Sequence, residues 1–255
     1  MNKRILLIVV VILLAAGAAF AVSGMQAHKA MEMPPLPPSP TPAVSNTVAT
    51  LPIPATPPPA SAVSTETTAT PLFNSLMSKD SDSKSVIYEV LPGDNLTKIS
   101  KKHQVTIGLI KRVNGLSTDV IRPGMKLKIP TAKFSVVVDK SQNILILKAD
   151  EEVLKTYTVS TGTNNSTPVG VFKATDKLVD PTWYKAGAVV PPGSAENVLG
   201  TRWIGIDKPG YGIHGTTEPE KLGQQVTAGC VRMKNEEVEE LYDLIPAGTE
   251  ITIVD

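Results

Sequence analysis

Eleven of the chain's 22 prolines fall between Pro34 and Pro59, interleaved with Thr, Ser, Ala and Val. Proline removes backbone donors, and the small residues around it bury too little apolar surface to offset the entropy of ordering the chain. Such a stretch favours extended, polyproline-like backbone. Residues 24–84 therefore read as a Pro/Thr/Ser-rich disordered linker, and packed structure has to come from residues beyond 84. Ahead of the linker, Lys3 and Arg4 precede an uncharged apolar run of eighteen residues, Ile5 to Val22. A basic start before such a run is an export signal. Residues 1–23 read either as a cleaved signal peptide, with Ala19-Phe20-Ala21 as a small-x-small site, or as an N-terminal membrane anchor, which the length of the run favours. Both readings keep Lys3 and Arg4 inside and place the remainder in the cell envelope, in the periplasm or the extracytoplasmic wall.

The net charge of +1 gives no general attraction to nucleic acid. The charge is unevenly spread: residues 86–130 hold 8 Lys/Arg against 3 Asp/Glu, residues 133–255 hold 12 against 17. A basic small module beside an acidic larger one points to different partners for each, or simply to solubility. The single cysteine, Cys230, excludes an intramolecular disulfide framework, and in an oxidising compartment it leaves a working thiol with no partner in the chain.

Residues 86–130 read as strand, helix, helix, strand. Val86 to Val90 alternates around Tyr88, and Pro92-Gly93 turns the chain. Asp94 is the expected N-cap of a helix through His103, Thr106 that of a second helix through Val113, and Asn114-Gly115 a stop. His103 reads as a solvent-facing helix-end residue without a catalytic role. Lys101, Lys102, Lys111 and Arg112 read as a solvated face. The elements Tyr88-Glu89-Val90, Pro92-Gly93-Asp94-x-Leu96, Ile99-Ser100, Asn114-Gly115 and Ile121-Arg122-Pro123-Gly124-Met125-Lys126-Leu127-x-Ile129-Pro130 resemble a LysM domain. The resemblance implies a small α+β (βααβ) module that binds N-acetylglucosamine-containing glycans such as peptidoglycan.

From Lys133 the pattern turns strand-rich. Phe134–Val138 and Ile144–Leu147 flank an expected hairpin turn, and further strands are expected at Val153–Ser160, Val169–Ala174, Trp203–Ile206 and Ile251–Val254. One late helix is expected from Asn235 to Ile245, with Asn235 as its cap, Val238, Leu241, Tyr242 and Ile245 on one face and its glutamates toward solvent. Many short strands with one helix imply a mainly β sandwich or barrel. His214, the only histidine after His103, lies sixteen residues before Cys230. A thiol becomes a nucleophile on losing its proton, and an imidazole takes it at neutral pH. A lone cysteine is otherwise a small buried hydrophobe. There is no phosphate-binding loop, and one histidine with one cysteine does not make a zinc site; no cofactor is expected.

Tyr211-Gly212-Ile213-His214-Gly215-Thr216 followed by Thr227-Ala228-Gly229-Cys230-Val231-Arg232-Met233 resembles the signature of the L,D-transpeptidase (YkuD-like) catalytic domain. Thr167 to Phe172, Leu199 to Gly205 and the segment from Asn235 to Ile253 resemble it too, so the likeness covers about residues 133–255. It implies a YkuD-like β sandwich with one late helix. It also implies Cys230 as nucleophile, His214 as base and the Gly215 carbonyl as the group that orients the imidazole. Backbone N–H groups around Gly229 and Cys230 are the expected oxyanion hole. Arg232 is expected to bind a substrate carboxylate or to brace its loop, and Tyr211 to line the cleft. Thr227 is counted with the substrate-facing residues, although steadying the loop is the stronger reading. Trp203 reads as core. Where many relatives carry histidine, this chain has Ala228. The activity implied is peptidoglycan L,D-transpeptidation through a cysteine thioester, giving 3→3 cross-links between stem peptides. D-amino acids, a protein amine or water remain open as acceptors, water giving an L,D-carboxypeptidase. The alternative is a peptidoglycan-binding protein with an inactive transpeptidase-like domain. A glycan hydrolase would need paired carboxylates, and none has motif support.

Overall fold

A computed structural model describes residues 67–80, 82–185 and 187–255. The apolar run at 5–22 and the proline-rich part of the linker lie outside the described residues. Among the described residues no helix is long and apolar enough to cross a membrane.

The last part of the stretch read as linker is ordered. Strand β1 (Thr68–Ala69) leads into helix α1 (Pro71–Met77), whose cap is the Thr70 hydroxyl, accepting from Phe73 N. Phe73 and Leu76 are buried. Local pattern signals this helix weakly, because α1 spans only two turns and buries two apolar anchors.

The small module is β2 (Ser85–Glu89), α2 (Leu96–His103), α3 (Ile107–Asn114) and β3 (Lys126–Pro130), with β2 and β3 antiparallel. Thr106 caps α3 as expected, and Gly115 closes it at φ 62°. Asp94 does not cap α2. The cap is Asn95, whose side chain accepts from Lys98 N, while the Asp94 carboxylate accepts from Leu91 N and from the Tyr88 hydroxyl. Asx residues compete for both turn and cap, and the turn at 91–94 takes Asp94. His103 is not solvent-facing: it is half-buried, edge-on to Tyr88 at 5.4 Å between ring centroids, with Nε2 buried and without a hydrogen-bond partner.

The larger domain contains β4 (Phe134–Asp139), β5 (Ile144–Ala149), β6 (Glu152–Thr158), β7 (Thr161–Gly162), β8 (Gly170–Val179), β9 (Trp183–Lys185), β10 (Ala188–Val190), β11 (Arg202–Ile206), β12 (Gly212–His214), β13 (Gln225–Thr227), β14 (Val231–Arg232), α4 (Asn235–Leu244) and β15 (Glu250–Val254). It is mainly β with one late helix. Nine strands form one mixed sheet in the order β1-β6-β5-β4-β15-β8-β11-β12-β14. Strand β15 runs parallel to β4 and antiparallel to β8, which joins the early hairpins to the strands bearing the histidine and cysteine. Alternation places Val136, Val138, Leu145, Leu147, Ile251 and Ile253 in the core. Helix α4 closes that core with Val238, Leu241, Leu244 and the adjoining Ile245; Tyr242 is half-buried. Its glutamates are not all solvated: Glu237 is buried, and Glu240 accepts from Lys155 Nζ and the Tyr157 hydroxyl.

The described parts of the 67–84 segment and the small module both pack on the larger domain. Strand β1 extends the sheet beyond β6. The fully buried Lys128 ammonium donates to the carbonyls of Ser75, Leu76 and Ser78 and pairs with Asp82 at 2.7 Å. Helix α3 meets α4 where the Thr106 hydroxyl donates to Asp243 O and Arg112 Nε contacts the Asp243 carboxylate at 3.0 Å. At Gly108 a side chain would collide with Asp243. Thus Arg112 contacts Asp243 and Lys111 pairs with Asp119; of the four expected solvated cations Lys101, Lys102 and Arg112 are exposed and Lys111 is half-buried.

Candidate active site

The histidine and cysteine come together through a parallel pairing at the end of the sheet. In β12 and β14, Ile213 faces Val231 and His214 faces Arg232. Side chains alternate across a strand, so His214 and Arg232 share one face with Gly212 and Cys230, and Ile213 and Val231 point into the core. Cys230 is thus the diagonal neighbour of His214. Arg232 is anchored again from the other side, by reciprocal backbone hydrogen bonds with Ser160 at 2.8 and 2.9 Å.

His214 is 3% exposed, and its Nδ1 lies 2.6 Å from the Gly215 carbonyl oxygen. A carbonyl only accepts, so Nδ1 carries the proton and, in the neutral ring, Nε2 keeps its lone pair. Burial pushes the imidazole down to about 4; the Gly215 carbonyl opposes this, and the Arg232 charge adds to it. The Trp203 ring lies nearly parallel to the imidazole, 17° between planes and 6.0 Å between centroids. Trp203 faces His214 in register, and its indole covers the bare backbone of Gly205 and Gly212. It is half-exposed at the site rather than core.

Cys230 is half-buried, and its thiol donates to the Gly210 carbonyl at 3.6 Å. Burial raises it to about 11, against smaller lowering contributions from the Gly212 amide and the Arg232 charge. The resting site therefore holds a neutral thiol and a neutral imidazole at pH 7.

The loop before the cysteine is held from within. The Thr227 hydroxyl donates to Cys230 O at 2.6 Å and accepts from Gly229 N at 3.1 Å. These bonds fit the loop-steadying reading of Thr227, and the Gly229 amide is already occupied, which leaves the Cys230 amide as the candidate oxyanion donor. Gly229 has φ 137°, and a Cβ there would sit 2.7 Å from Tyr211 Cε1. Tyr211 is half-buried against this loop, next to the cysteine. Ala228 is exposed. Arg232 is 7% exposed and braces the loop through Glu218 at 3.1 Å, while its Nε is buried without a partner. Glu218 escaped the sequence reading, as an acid in an irregular loop carries no signal of its own; hydrogen bonds from Lys221 and Arg232 hold its carboxyl below the usual range.

Asn235 does not cap α4. Lys234 occupies that position without a side-chain bond, and Asn235 is the first helical residue. Its amide instead accepts from Thr201 N at 3.2 Å and Thr216 N at 3.1 Å and donates to Thr216 O at 2.9 Å. Among the described residues no three of His, Cys, Asp or Glu gather as metal ligands.

Comparison with known proteins identifies the family. Residues 133–253 match the L,D-transpeptidase catalytic domain family (YkuD), and residues 88–130 match the LysM domain family. YqjB of Bacillus subtilis, whose own name places it among the L,D-transpeptidases, is 43% identical over 126 residues, covering 47% of this chain and 70% of that protein. YkuD of the same organism is 28% identical over 173 residues, 65% of this chain and 97% of that one. Among solved structures, an L,D-transpeptidase from Mycobacterium smegmatis aligns with a TM-score of 0.42 at 20% identity, over 52% of this chain and 64% of that chain. The chain belongs to the L,D-transpeptidase (YkuD) family, with its catalytic domain preceded by a LysM domain.

Proposed function

We propose that this chain is an exported peptidoglycan L,D-transpeptidase with Cys230 as nucleophile and His214 as base. One observation carries the reading: the β12/β14 register sets the only thiol and a buried imidazole on one face, with the imidazole Nδ1 proton committed to Gly215 O. His214 Nε2 takes the thiol proton as Sγ attacks the carbonyl of the third residue of a tetrapeptide stem. The Cys230 amide stabilises the oxyanion, and Gly229 keeps the backbone open to it. Collapse of the adduct breaks the peptide bond, and the proton on Nε2 passes to the departing D-alanine amine, leaving a thioester. The amine of a neighbouring stem then attacks the thioester, gives a proton to His214 and restores the thiol, forming a 3→3 cross-link. Water in its place gives the carboxypeptidase reaction. Arg232 braces the cysteine loop through Glu218, and Tyr211 lines the cleft.

The LysM domain supplies glycan binding in this reading. Because α3 is fastened to α4 and the 67–84 segment to both domains, a bound strand is held at a set place relative to the cysteine. The N-terminal apolar run, as signal or anchor, directs the chain to the envelope. Incubation of the chain with disaccharide-tetrapeptide, with mass analysis of the products, tests the proposal. Free D-alanine, a mass addition on Cys230 and cross-linked product are expected, and all three vanish in Cys230→Ser. Turnover near wild type in that variant overturns the thiol mechanism. The full chain is also expected to co-sediment with insoluble peptidoglycan.

A further inference from the structure

We propose that Asn235 is a positioning residue that sets the tautomer of His214 through a single peptide plane. The inference rests on the catalytic reading of His214. The Asn235 Oδ1 accepts from Thr216 N, and its Nδ2 donates to Thr216 O. Thr216 N belongs to the same planar peptide unit as Gly215 O, and in a trans unit the two point in opposite directions. Fixing the N–H on Asn235 therefore aims the carbonyl away from it, toward His214 Nδ1 at 2.6 Å. The second bond, to Thr216 O, stops the amide from swinging, and Thr201 N binds the same Oδ1 from the neighbouring loop.

The surroundings leave this amide no alternative place. A Cβ at either Gly200 or Gly215 would overlap Asn235 Oδ1, so two stretches of bare backbone close on it. Gly200, at φ 64°, also takes a backbone conformation that side chains disfavour. Asn235 itself sits at the start of α4, whose Val238, Leu241 and Leu244 are fully buried. The helix thus transmits the rigidity of the core to one peptide plane, and that plane decides which imidazole nitrogen is free. A free imidazole without such a partner distributes its proton between both nitrogens, and only the Nδ1–H form leaves Nε2 able to accept from a thiol.

The test is 15N NMR of histidine-labelled full chain together with the rate of acylation by disaccharide-tetrapeptide. The His214 signals are assigned by their absence in His214→Ala. Wild type is expected to show neutral, Nδ1-protonated His214 at pH 7. Asn235→Ala is expected to lose that single tautomer and to acylate roughly 10- to 100-fold more slowly, as when outer-shell partners of a positioned histidine are removed, with KM little changed. Asn235→Asp keeps the acceptor for Thr216 N and is expected to retain the Nδ1–H signature. The inference is overturned if Asn235→Ala keeps the wild-type tautomer, or if a folded Asn235→Asp loses it. If Asn235→Ala does not fold, Asn235→Ser, whose side chain is too short to keep the Thr216 bonds, takes its place with the same expected loss of the single tautomer. Failure of the transpeptidase reading would appear separately, as a wild-type chain with the expected tautomer and no acylation.

Discussion

A thiol held near 11 beside an imidazole held near 4 makes the free site chemically quiet, and this is measurable. At pH 7 the thiolate fraction of such a group is about one in ten thousand, against about 3% for an unperturbed cysteine near 8.5, a ratio of roughly 300. Thiolate nucleophilicity rises with pKa with a Brønsted slope of about 0.4–0.5, which returns about tenfold over the 2.5-unit difference. Iodoacetamide should therefore alkylate Cys230 at pH 7 about thirtyfold more slowly than free cysteine. The rate should climb about tenfold per pH unit through pH 9–10, as tracked by mass spectrometry. Acylation by a stem peptide should not share that profile. It needs neutral His214, whose basic form dominates above about 4, so its rate should change little between pH 6 and 8. A plateau of alkylation with a midpoint near or below 7, lost in His214→Ala, would mean a preformed thiolate–imidazolium pair and would refute the reasoning.

Stability should carry the same signature. His214 binds its proton more weakly folded (about 4) than unfolded (6.5), so its contribution is complete above pH 6.5 and is lost as pH falls toward 4, on the order of 3 kcal/mol; the acid-side fall in Tm should be shallower in His214→Ala than in wild type. Gly229→Ala meets both an unfavourable φ of 137° and the Tyr211 ring, so acylation should drop tenfold or more while global unfolding shifts by about 1–3 kcal/mol, with the two separated by kinetics and calorimetry. Lys128→Met leaves Asp82 and three carbonyls without their ammonium, and breaking such a buried pair costs about 3–5 kcal/mol. Proteolysis should then begin at residues 67–84, and unchanged resistance there would show that Lys128 does not hold the segment.

The chemistry proposed for this protein is read from the order of its residues, because it depends on residue types that have few substitutes. One cysteine after Gly229 and one histidine before Gly215 name the candidate nucleophile and base. Turn residues, alternation and the Thr106 cap locate most of the LysM elements and the early strands, since these arise from local periodicity and side-chain-to-backbone bonds. What the order of residues could not show was how distant segments meet. The strand pieces Gly212–His214 and Val231–Arg232 are too short to carry a pattern, and their parallel register, which puts His214 and Cys230 on one face, exists only once the sheet has formed. Asn235 looks like a cap from its neighbours, yet its amide is captured by Thr201 and Thr216, which lie 34 and 19 residues away. Thr227, Gly229 and Glu218 acquire their tasks in the same way, from loops brought against each other. Lys128 sits in an ordinary alternating strand until the 67–84 segment folds over it. Local sequence determines which groups are present and which elements they start or end. Long-range backbone pairing decides which lone pairs and protons face one another, because a hydrogen bond or a charge acts over a few ångströms however far apart its partners lie in the chain.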